Sequence, residues 1–150
     1  MKKILFLALV LVAGIAAFTS CKKDKNEPEL KGTVYHYRGT SDFWSGLSFE
    51  HDVYVAMEDN HKMTMKWENV KTSEDAEPVT LYLYNGKWES DGGGGFYIHC
   101  DGKPQLPNGN PVDQWESFDV DGGCDETSCS FDYHVNGVTG AIFDGQRVKD

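Results

Sequence analysis

The chain has 150 residues, with 14 Lys+Arg against 24 Asp+Glu and a formal net charge of -10. That length suits one domain, and 39% hydrophobic with 25% charged residues argues for a packed core rather than wholesale disorder. The acidity argues against direct nucleic-acid binding, because the phosphate term that dominates such affinity would be repulsive.

Met1, Lys2 and Lys3 form a positive start, an apolar run extends from Ile4 to Phe18, and Thr19-Ser20-Cys21 closes it. A charged n-region, an apolar h-region and small residues at the cut are the layout of a secretory signal, and the run is shorter than the roughly 20 residues of a membrane span. With Cys21 after the small pair, residues 1–20 resemble a bacterial lipoprotein signal, although Phe18 stands where the usual box has Leu. The resemblance implies cleavage before Cys21 and acylation of its thiol and new amine, a palmitate-type anchor whose several chains hold stably to a membrane. Ordinary secretion with cleavage after Ala17 or Ser20 is the alternative. Cleavage at Cys21 removes two lysines and no acids, leaving 12 basic and 24 acidic side chains, net -12. Residues 21–29 then form a solvated tether, polar from Lys22 to Glu27 and closed to helix at Pro28. Lys22 is not the Asp that retains such proteins at the inner membrane of enteric bacteria, so the resemblance implies the cell outer membrane, facing either side.

Residues 30–150 read as one all-β domain, because their apolar pattern has period two. Strands are expected at Gly32–Arg38, Val53–Met57, Lys62–Glu68, Thr80–Tyr84, Lys87–Glu89, Phe96–Cys100, Trp115–Val120, Cys129–Val135 and Val138–Phe143. Asn85-Gly86 and Asn136-Gly137 each predict a two-residue type I′ hairpin. The second sets Val135 opposite Val138, Tyr133 opposite Gly140 and Phe131 opposite Ile142. A glycine facing a tyrosine lets the ring lie across the strand. Further turns are expected at Asp59-Asn60, Asp101-Gly102, Asn108-Gly109, Asp121-Gly122 and Asp144-Gly145, and mobile loops at Gly92–Gly95 and Pro104–Pro111. About eight short strands at this spacing make a single antiparallel meander barrel or a β-sandwich. The "KGTVYHY" opening, the "LYLYNGKW" middle and the "FDYHVNGVTGAIFDGQRV" close resemble the calycin-like, lipocalin-shaped lipoproteins of Bacteroidetes. That resemblance implies a binding protein with a barrel cavity.

With Cys21 acylated, Cys100, Cys124 and Cys129 remain, an odd number for an oxidising compartment. A Cys124–Cys129 bridge is the favoured pairing, with Cys100 to either of them as the alternative. A zinc site of His99, Cys100, Cys124 and Cys129 fits poorly, because the spacing is not Cys-x-x-Cys and His99 and Cys100 point oppositely on a strand. Asp119, Asp121, Asp125 and Glu126 around Gly122-Gly123 are a candidate calcium loop, against the reading of a solvated acidic turn. Tyr35, Tyr37, Phe43, Trp44, Tyr82, Tyr84 and Tyr97 exceed what one inner face can hold, and Tyr35, Tyr37, Trp44, Tyr82 and Tyr84 above all are candidates to bind a glycan, lipid or partner protein, against the reading that aromatics fill the core. No catalytic motif, and so no enzyme or cofactor, is expected. The leading expectation is a lipid-anchored binding module for a small apolar or glycan-like ligand or a partner protein. A surface inhibitor acting through loops Gly92–Gly95 and Pro104–Pro111 is the first alternative, and a small hydrolase the second.

Overall fold

The computed structural model describes residues 30–44, 47–71, 75–113, 118–135 and 138–149. Residues 1–29, on which the expected signal, Cys21 and the expected tether fall, lie outside them. Eight strands follow in order: β1 (Thr33–Trp44), β2 (Leu47–Glu58), β3 (Lys62–Val70), β4 (Val79–Ser90), β5 (Phe96–Asp101), β6 (Phe118–Cys124), β7 (Ser128–Val135) and β8 (Val138–Lys149). Each pairs antiparallel with its neighbour in sequence, and β8 returns to β1, so the sheet is a closed barrel rather than a sandwich. Among the described residues, closure gives every strand a paired neighbour on both sides.

The interior is built by alternation, interrupted at bulges. Val53, Val55 and Met57 from β2, Met63, Met65 and Trp67 from β3, Leu81 and Leu83 from β4, Ile98 and Cys100 from β5, and Phe131, Tyr133 and Val135 from β7 all join one core. Eight strands enclose a space about wide enough for side chains to fill. Trp67 fills its middle. Its ring stacks on His51 from β2 at 5.5 Å and meets Phe118 of β6, Phe131 and Tyr133 of β7 edge-on at 5.6, 6.0 and 5.5 Å. A β3 side chain therefore touches the opposite wall.

The closing strands pair as the alternation predicts: Val135 with Val138, Tyr133 with Gly140, Phe131 with Ile142. A Cβ on Gly140 would overlap the Tyr133 ring, so the ring does lie across that strand. Asn136 and Gly137 themselves lie outside the described residues.

Three expected turns are instead continuous strand. β4 runs straight through Asn85-Gly86, with no hairpin there. Met63 faces Gly86 while Met65 faces Leu83, so β4 carries one extra residue between these pairs, a β-bulge. The bulge reverses the alternation, placing Leu81, Leu83 and then Trp88 towards the core. A hairpin would have put the same three on one face, and so the apolar pattern is identical in both structures. Gly86 is required by close approach: a Cβ there would stand 2.5 Å from the Met63 carbonyl oxygen.

Asp121-Gly122 is likewise interior to β6, which extends beyond Val120 to Cys124; Trp115 lies outside the described residues. Asp144-Gly145 is interior to β8, where Asp144, at φ 59°, forms a bulge against Ser130. Asn69, at φ 62°, forms another between Trp67 and Val70. Asp and Asn are the side chains that best tolerate this left-handed conformation. The Asp59-Asn60 turn is present, with Asn60 at φ 63° and His61 at φ 60°.

Candidate functional site

The cysteines resolve into one bridge and one buried thiol. Cys124 and Cys129 are a ladder pair across the β6–β7 turn and form a disulfide. Cys100 is free and fully buried among the core side chains. Burial pushes its thiol up to about 12. This corrects the zinc alternative: two of its sulfurs are bonded to each other, Cys100 points inward, and the exposed His99 points out. Since the thiolate is the nucleophile, iodoacetamide at pH 8 should leave Cys100 unmodified in the native protein and alkylate it within minutes in urea. Prompt alkylation of the folded chain would contradict the burial.

The four acids of the calcium candidate are spread out. Asp119 and Asp121 stand on the outer face of β6, while Asp125 is turned into its own loop. Its Oδ1 accepts from the amides of Thr127 and Ser128 and from the Thr127 hydroxyl at 2.7–2.8 Å. Those bonds hold its carboxyl below the usual range. Glu126 is exposed, and its main-chain oxygen accepts from Arg147. Among the described residues, no three His, Cys, Asp or Glu side chains are grouped to hold a metal ion.

Nor do the aromatic candidates form one strip. Tyr35 is buried and donates its hydroxyl to the main-chain oxygen of Asp125, tying β1 to the β6–β7 turn. Tyr37 packs partly buried against the core. Tyr82 is buried and Tyr84 half exposed, stacked on each other at 5.8 Å outside the barrel. The side chain of Trp44 lies outside the described residues.

Both expected loops carry their own hydrogen bonds. Asp91 Oδ1 accepts from the amides of Gly93 and Gly95 at 2.7 and 2.9 Å, folding the glycine run back on itself. Gln105 exchanges two 2.8 Å main-chain bonds with Tyr82, and Val112 donates to the Pro104 carbonyl at 2.9 Å, so this segment is fastened to β4.

Two clefts meet at Tyr97, one of the aromatics in excess of the inner face. Tyr97, 65% exposed, is the most exposed large apolar side chain among the described residues. On one side lies a cleft of about 650 Å³ between Asp91–Phe96 and Gly123–Ser128. On the other lies a groove of about 590 Å³ on the outer face of β4, β5 and β6, lined by Lys87, Glu89, His99 and Asp121. The register explains it. Tyr97 has Glu89 and Gly123 as ladder partners, and the next outward row is Lys87, His99 and Asp121. His99 Nδ1 lies 2.6 Å from Asp121 Oδ1. The cue in the sequence was Phe96-Tyr97-Ile98-His99-Cys100, whose alternation turns Tyr97 and His99 outward. Taking Asp121-Gly122 for a turn hid their neighbours.

Comparison with protein-family models, with curated proteins and with solved structures finds no match.

Proposed function

We propose that the chain is a non-enzymatic binding protein of the cell envelope, lipid-anchored at Cys21 to the outer membrane, and that it engages its ligand or partner on the outer surface of the barrel. The observation that supports surface rather than interior binding is Trp67, 1% exposed and packed against both walls where a ligand cavity would open. Because the strands alternate in direction, the chain enters the barrel at the end that carries the turns at 59–61, 91–95 and 125–127. An anchor at Cys21 would hold that end towards the membrane, within roughly 40 Å given the reach of a dozen extended residues.

Two measurements test the two halves of this reading. Mass spectrometry of protein extracted from membranes should find an acylated Cys21 as the first residue. A free amine at Phe18, or an unacylated Cys21, would overturn the anchor. Equilibrium dialysis against radiolabelled palmitate should show no stoichiometric uptake, whereas one palmitate bound per barrel would overturn the surface reading.

A further inference from the structure

We infer that the two clefts flanking Tyr97 form one saccharide-binding surface, with Tyr97 as the stacking platform and Lys87, Glu89, His99 and Asp121 as hydrogen-bonding partners. This rests on the reading that the barrel binds through its outer face, and it names the class of ligand. A sugar ring has an apolar C–H face and a rim of hydroxyls that both donate and accept. The groove has the matching parts. Tyr97 offers a large ring to solvent, and its ladder partner Gly123 has no side chain to cover it. Where a Cβ would stand on Gly123, the nearest contact is an ordinary 3.5 Å, so the glycine is there for open space and not for strain.

The polar groups are mixed in kind. Lys87 supplies donors only, Glu89 and Asp121 acceptors only, and His99 can serve as either. The 2.6 Å contact of His99 Nδ1 with Asp121 fixes the imidazole, and the next carboxylate, Asp101, is 3.9 Å from Nε2. Interleaved donors and acceptors suit hydroxyls. An anion would meet Glu89 and Asp121, a cation would meet Lys87, and an apolar ligand would find one ring and a polar rim. Each cleft is in the range of about 300–1,000 Å³ usual for ligand sites. Tyr97 lines both, so a chain of sugar rings can cross it from one to the other.

The test uses the full chain in detergent, screened on an array of neutral and anionic oligosaccharides, with the strongest binder then titrated by calorimetry. Saccharide binding is expected. Tyr97→Ala should weaken it on the order of tenfold, about 1.4 kcal/mol, and Asp121→Asn should weaken it several-fold. Tyr97→Phe should retain it, and Tyr84→Ala, away from both clefts, should leave it unchanged. Circular dichroism of each variant separates lost binding from lost fold. A blank array overturns the proposal, as does binding that survives Tyr97→Ala in a folded protein. Saturable binding of oligolysine in place of any saccharide assigns the surface to a basic protein segment and overturns it too, while leaving the surface reading standing. The palmitate result decides that reading independently.

Discussion

Trp67→Ala is expected to destabilise the barrel by about 3–5 kcal/mol, the range for removing a buried large aromatic. Total stability for a domain of this size is about 5–15 kcal/mol, so the variant should lose a large share of it. The effect is large because the indole is the common neighbour of rings on three other strands, β2, β6 and β7. Its loss leaves a void bounded by His51, Phe118, Phe131 and Tyr133, and a closed barrel cannot move its walls together without breaking ladders. Trp67→Phe should cost distinctly less. Tyr84→Ala, at a half-exposed ring outside the core, should change the urea midpoint little. A Trp67→Ala melt matching the parent would mean that the ring does not hold the two walls.

The second large effect separates two adjacent glycines. Gly122→Ala should cost about 1–3 kcal/mol, the usual range for overpacking, and Gly123→Ala should cost less than about 0.5, as surface substitutions do. Gly122 faces inward. A Cβ there would overlap the Ser130 carbonyl oxygen and the Phe131 Cβ and stand 2.6 Å from the Phe131 Cα, and backbone on a paired strand cannot yield cheaply. Gly123 faces outward beside Tyr97 with room to spare. Paired urea melts check the difference. If Asp121-Gly122 were an exposed turn, Gly122→Ala would be tolerated. Equal midpoints for the two variants would place that turn back in β6.

These glycines also show what the sequence could and could not reveal. Alternation alone located most of the inward set, since Met63, Met65 and Trp67, or Phe131, Tyr133 and Val135, admit only one face. It also placed Tyr133 across from Gly140. Asn-Gly and Asp-Gly pairs are ambiguous for a physical reason. The left-handed backbone and missing Cβ that suit a two-residue turn suit a bulge or a close strand crossing equally well. Asn85-Gly86 was a bulge, and Asp144-Gly145 another. Gly122 was the floor under Phe131. The Cys124–Cys129 bridge was legible from its short span, because a turn of four residues returns the chain to its own ladder partner. The groove at Tyr97 was not. It depends on which outward residues of β4, β5 and β6 stand side by side, and the register of β5 against β6, joined through residues 102–117, is set by packing and not by any local motif.

The filled interior is the claim on which the surface reading depends. It can be tested directly with aromatic nuclear Overhauser spectra of the folded protein. The account predicts cross-peaks from the Trp67 ring to the rings of Phe118 and Tyr133 on the far wall, and no exchange with water at that ring. Trp67 cross-peaks confined to β2 and β4, together with contacts to water, would show an open cavity and contradict it.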